Sequence, residues 1–94
     1  MTDPTVQMMA RARLGSDLEV FKNTEPYKFL MACARQRYDA AVEELIDANP
    51  ADVGAIAQAQ ADARVFLSLQ SWIDGAIQDG GIAHRELRAR DYTE

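Results

Sequence analysis

The 94-residue sequence predicts an all-α fold, and three observations carry that prediction. Apolar residues recur at steps of three and four along two long stretches, while no stretch alternates apolar and polar residues as a half-buried strand does. Helix-start signals are repeated along the chain, each pairing a capping residue with a proline. The two longest stretches are separated by no more than Asn49-Pro50, a connection so short that the helices on either side become antiparallel neighbours. The expected architecture is an antiparallel two-helix hairpin, about 25–48 and 50–79, with an N-terminal helix, about 4–14, packed on its open end. Residues 1–94 form a single helical domain in this reading, and 82–94 a weakly structured C-terminal segment.

Asp3-Pro4 opens the first helix. The Asp3 carboxylate can accept from free amides of the first turn, and proline at the first helical position gives up no hydrogen bond. Val6, Met9, Ala10 and Leu14 follow at helical spacing, and Gly15 is read as the terminator. Ser16-Asp17-Leu18-Glu19 then has the S-x-x-E form of a capping box, opening a short turn that carries Leu18 and Phe21. Thr24-Glu25-Pro26 repeats the start signal for the first long helix. A residue before proline is pushed out of the helical region, so that helix stops near Asn49. Asn49 then caps the second long helix, Pro50 takes its first position, and Asp52 sits near the positive end of its dipole. Gly80-Gly81 is expected to end it. The last segment, Ile82 to Arg90, holds Ile82, Leu87 and an i, i+4 pair of Glu86 with Arg90.

Tyr27, Leu30, Ala34, Tyr38, Ala41 and Leu45 form the stripe of the first long helix, and Ile56, Ala59, Ala63, Phe66, Ile73 and Ile77 that of the second. Folding at Asn49-Pro50 places Leu45 near Val53, Ala41 near Ala57 and Ala59, Tyr38 near Ala61, Leu30 near Leu69 and Tyr27 near Ile73. The turn end is then rich in alanine, and the open end is bulky. Two helices bury one stripe each, yet Phe29, Met31, Cys33, Val42 and Ile46 lie off the first seam. Val65, Leu67, Leu69 and Trp72 lie off or beside the second. The N-terminal residues Val6, Met9, Leu14, Leu18 and Phe21 can fold over the open end, but they do not reach the turn end. The surplus apolar surface calls for a neighbour, most simply another copy of the chain. Tyr27, Phe29, Val42, Leu69, Trp72, Arg35 and Arg64 are the interface candidates. Trp72 seals the junction with the N-terminal helix or anchors an interface; Arg35 clasps a second copy or pairs with Asp39 four residues on.

Composition narrows the function. The chain is 48% apolar and 27% charged with 5 Gly and 3 Pro, a globular rather than a disordered balance. One cysteine excludes an internal disulfide, and one histidine beside it leaves little metal chemistry. No run approaches the ~18 apolar residues of a membrane span, and MTDPTVQMMARARLG lacks the apolar stretch of a signal peptide. Net charge is +2 over 1–37, −6 over 38–63 and −1 over 64–94. A net acidic chain with scattered bases is a poor ligand for phosphate backbones, so no direct nucleic-acid contact is expected. Glu43, Glu44, Asp47 and Asp52 form an acidic surface near the turn, either a solvated face or a dock for a basic partner.

The sequence lacks the motifs of catalytic and metal sites. Asp47-Ala-Asn49-Pro-Ala-Asp52 begins like a calcium loop but has Asp52 where glycine is required and Gln58 at the twelfth position. Asp39, Glu43 and Asp47 share a helix face, without the E-x-x-H motifs of a di-iron bundle. Cys33, between two alanines, reads as a buried and inert thiol, and His84 as a surface residue. There is no phosphate-loop, dinucleotide, nucleophile-elbow or H-E-x-x-H motif. The expectation is a protein that is not an enzyme and uses no cofactor and no metal.

One further pattern runs Phe29-Leu30…Ala34…Ala41, Glu44-Leu45…Asn49-Pro50…Asp52…Ile56…Gln60…Phe66…Trp72-Ile73…Ile77…Gly80. Over residues 29–80 this order resembles short helical proteins encoded in the head and structural gene clusters of tailed bacteriophages. The resemblance implies a virion or assembly role without chemistry, in the virion or the host cytoplasm, and carries over no functional residue. The expected function is a protein–protein interaction module that oligomerises or docks on a larger phage assembly. The alternative is a small acidic inhibitor that occupies a basic surface of a host nucleic-acid-binding protein. A dimeric regulator without an enzymatic part is the third reading.

Overall fold

The structure, a computed structural model, describes residues 3–91. The chain is all-α: α1 spans Pro4–Phe21, α2 Glu25–Asp47 and α3 Val53–Asp91, and no strand occurs among the described residues. Contacts divide the chain into two compact units, Met1–Thr24 with Trp72–Glu94, and Glu25–Ser71. α3 contributes its second half to the first unit and its first half to the other.

In the first unit α1 runs antiparallel to the second half of α3. Arg90 donates to Thr5 Oγ1 at 2.9 Å, Arg11 is bound to Asp79, and Lys22 reaches Asp74 at 3.1 Å, so rising numbers on one helix meet falling numbers on the other. Asp3 caps α1 as the sequence predicts, its Oδ1 accepting from Thr5 N–H at 2.8 Å with Pro4 in the first turn. Gly15 does not end the helix. α1 continues through Ser16–Glu19 to Phe21, and the expected separate turn at 16–21 is absorbed into it. Gly80-Gly81 does not end α3 either, and the segment expected to be weakly structured is helical through Asp91; Tyr92 to Glu94 lie outside the described residues.

One contact explains both departures. None of the described glycines adopts positive φ, so none serves as a left-handed cap. Gly15 and Gly80 instead face each other across the seam, both buried, and Met8 and Ala83 are the other buried residues of this unit. A Cβ on Gly15 would stand 2.9 Å from Gly80 Cα, and one on Gly80 would stand 2.8 Å from Gly15 Cα and 2.9 Å from the Arg11 carbonyl. Glycine is used here for close backbone approach. That approach also selects the seam face. Met8 is buried, while Val6, Met9 and Leu14, the expected packing face, are each more than half exposed.

In the second unit α2 and the first half of α3 are antiparallel. Arg37 lies 3.8 Å from Asp62, and the Tyr38 ring sits 5.5 Å from the Phe66 ring, centroid to centroid. Ala41, Ala59, Ala63 and Phe66 are the buried residues of this unit. The alanine-rich packing matches the sequence reading; the partner of Tyr38 is Phe66 rather than Ala61, because the aromatic pair stacks across the seam. Leu30, expected in the seam, is 57% exposed. α3 also starts later than expected. Asn49 Oδ1 accepts from Ala51 N–H at 3.0 Å and closes a turn at Pro50-Ala51, so the capping role passes to Asp52, whose Oδ1 accepts from Ala55 N–H at 3.1 Å.

Candidate functional site

The site is best sought on the surface. A shallow groove of about 220 Å³ lies in the first unit beside the glycine contact, with Ser16, Glu19 and His84 on its rim, and a larger, more open depression of about 480 Å³ lies elsewhere in that unit. The groove is smaller than the roughly 300–1,000 Å³ of a usual ligand pocket, the depression is broadly open to solvent, and no polar side chain of the described residues is buried without a partner. No cluster of His, Cys, Asp or Glu among the described residues is arranged to hold a metal ion. No helix of the described residues is long and apolar enough to cross a membrane.

The surface is apolar to an unusual degree. Val20, Phe29, Ile46, Val53 and Trp72 are each at least two-thirds exposed, and Val6, Met9, Leu14, Leu30 and Val65 are each more than half exposed. Solvent-facing apolar atoms are ordinary on any protein; so many large side chains left bare on a short chain are not. Scarcity of core is the cause. Each unit is a single helix pair with one seam, and glycine and alanine occupy much of that seam, so the larger side chains fall outside it.

Among the interface candidates, Phe29 and Trp72 are 68% and 70% exposed, while Tyr27, Val42 and Leu69 are half-buried. Arg35 does not stand free. Its Nε donates to Asp39 Oδ1 at 3.1 Å, and its guanidinium lies 5.7 Å and 5.8 Å from the ring centroids of Tyr38 and Phe66. The arginine thereby caps the aromatic pair of its own unit, a cation–π arrangement. Arg64 is exposed. Glu43, Glu44, Asp47 and Asp52 are all exposed; Asp52 serves the α3 cap, and Glu43, Glu44 and Asp47 form no ion pair among the described residues. Cys33 is exposed, against the expectation of a buried thiol. It lies four residues after the exposed Phe29, one turn further along the same side of α2.

The strongest electrostatic contact lies in the first unit. Arg11 donates through Nε to Asp79 Oδ2 at 2.8 Å and through Nη2 to Asp79 Oδ1 at 2.6 Å, a two-pronged, partly exposed pair. This hydrogen bonding holds the Asp79 carboxyl below its ordinary value, against a smaller opposing effect of burial, and raises the Arg11 guanidinium. The pair is separated by 68 positions, and sequence spacing carries no signal for it. The exposed side of α1 was likewise hidden from sequence reasoning. Choosing between the adjacent Met8 and Met9 as the buried residue requires knowing that Gly15 meets Gly80.

No family model matches the sequence, and neither the curated proteins nor the solved structures give a match.

Proposed function

We propose that the chain works by protein–protein contact and carries no chemistry of its own. The observation behind this reading is the bare apolar surface, with Phe29 and Trp72 both about 70% exposed. Area points the same way. A globular monomer of 10.4 kDa exposes about 5,400 Å², and this chain exposes 7236 Å². The difference, roughly 1,800 Å², is more than twice the roughly 800 Å² that each partner loses in an interface of standard size. The resemblance of residues 29–80 to short helical phage proteins makes a virion or assembly component the particular role proposed.

The test is quantitative proteomics on purified particles and their assembly intermediates from the phage encoding the chain. A constant ratio of this chain to the major head protein, in either fraction, supports the role. Absence from both removes it. The acidic-inhibitor reading draws on the exposed Glu43, Glu44 and Asp47, which form no ion pair. Their combined change to Gln separates the two. Inhibition of a basic host protein is lost with the carboxylates, whereas incorporation into particles survives their neutralisation.

A further inference from the structure

α1 carries a second face, away from the seam, that is complementary to itself. At 100° per residue, Val6, Met9, Ala10 and Arg13 stand at i, i+3, i+4 and i+7, the four corners of a hole of the kind that accepts a side chain from a facing helix. These four residues, with Ala12 beside them and Leu87 of α3 at one edge, line a depression of about 480 Å³ that is open to solvent. Ala10 in its lining is small and exposed, and Val6 and Met9 are 54% and 57% exposed. Further along the same face stand Asp17 and Val20, the latter 67% exposed.

Arg13 and Asp17 are four positions apart, a spacing that permits an ion pair within the helix. They do not form one, and neither has a charged partner among the described residues. The seam-facing bases of α1 and its C-cap are satisfied: Arg11 binds Asp79 and Lys22, the C-cap, binds Asp74. The outer face thus holds one base and one acid, both unmatched, beside an empty hole and a bare knob.

We infer that α1 pairs with α1 of a second copy, antiparallel, about a two-fold axis between positions 13 and 17. One register meets two separate requirements. It sets Arg13 of each copy against Asp17 of the other, and it sets Val20 of each copy over the hole at Ala10 of the other. A two-fold interface repeats each contact twice, so a self-complementary face needs no other evolved surface. A polar pair inside an apolar helix seam fixes register and orientation, since any slip brings charges against apolar side chains or like charges together.

The inference rests on the protein-contact reading and names its partner. Equilibrium sedimentation of the full-length chain tests it through charge exchange. The wild-type chain is expected to reach twice the 10.4 kDa chain mass as concentration rises. R13D leaves two acids on the face and D17R leaves two bases, so each alone is expected to weaken self-association by roughly 10- to 30-fold. An equimolar mixture of R13D and D17R restores pairing, because each acid of one chain then meets a base of the other, and so does the double variant R13D/D17R. Both residues are exposed, and helical circular dichroism confirms that the variants fold. A wild-type chain that stays at single-chain mass throughout overturns the inference, as does self-association indifferent to the two substitutions or a mixture that fails to recover. A strictly monomeric chain that is nevertheless retained in particles sinks the pairing while leaving the protein-contact reading in place.

Discussion

Gly15 and Gly80 meet backbone to backbone, so close that a Cβ on either would fall within 3 Å of the other's Cα. The contact sets which face of α1 is buried, keeps two apparent helix terminators inside helices, and leaves Val6, Met9 and Leu14 outside the seam. It also yields the sharpest stability contrast in the molecule.

Alanine normally strengthens a helix by about 1 kcal/mol over glycine. Gly81 and Gly75 have open space around the added carbon, so Gly81→Ala and Gly75→Ala should stabilise the chain by up to that amount. Gly80→Ala and Gly15→Ala meet backbone atoms that cannot move aside without separating the helices. Overpacking of this kind costs typically 1–3 kcal/mol and should outweigh the propensity gain. Urea denaturation of the four variants checks this. Equal gains at all four positions would show that the glycine contact does not constrain the helices.

The Arg11–Asp79 pair predicts a specific acid dependence. Hydrogen bonding lowers the Asp79 carboxyl below its ordinary 3.8, so the native state takes up this proton less readily than the unfolded chain. The resulting stabilisation is fully present above that ordinary value and is lost as pH falls through the lowered one. Asp79→Asn should therefore be less stable than wild type at neutral pH. The gap should narrow below about pH 4, and added salt should shrink it at neutral pH. Denaturant midpoints of both proteins across that range measure the gap; one that stays constant with pH would mean that the pair contributes nothing through charge.

The helix starts were legible in the sequence because capping is local. Asp3-Pro4 declares its helix within a few residues, and α2 begins at Glu25, where Thr24-Glu25-Pro26 places it. The role of glycine is not legible in the sequence because its two uses look alike there. A glycine that ends a helix and one that admits another backbone differ only in what lies opposite, and Gly80 lies 65 positions from Gly15. Asn49-Pro50 is legible in part for a related reason. The turn falls where expected, but the Asn49 side chain closes the turn itself and Asp52 caps α3. Of the surface, the exposed Phe29 followed from a simple excess of apolar side chains, whereas Trp72, open to a junction-sealing or an anchoring reading, is 70% exposed and seals nothing. The exposure of Leu30 did not, since a residue on a stripe edge is covered or bare according to how the partner helix is offset.

Cys33 gives a direct chemical check on the outer side of α2. The thiol is exposed, so a folded chain should react with an aromatic disulfide reagent at a rate on the order of that of the unfolded chain. One equivalent of thiol should be released per chain, as the sequence holds one cysteine. Slow reaction that accelerates only in denaturant would place the thiol inside, and would move the neighbouring Phe29 out of the set of bare side chains.

Trp72 makes the protein-contact reading measurable without a label. It is the single tryptophan and is 70% exposed, so the dilute chain should emit at the long wavelength of a hydrated indole and be quenched readily by acrylamide. A partner that covers the ring should shift the emission to shorter wavelength and protect it. Trp72→Ser should change folding stability by no more than about 0.5 kcal/mol, as expected where few native contacts are lost. If Trp72 anchors the contact, the same substitution should weaken binding by about 2 kcal/mol or more, near 30-fold in affinity. Stability and binding thus respond in opposite proportion to a core position such as Phe66, which is 5% exposed and whose truncation to Ala should cost about 3 kcal/mol of folding stability. A Trp72→Ser variant that unfolds, with emission already shifted to short wavelength in the dilute wild type, would place the indole in the core and withdraw it from any interface.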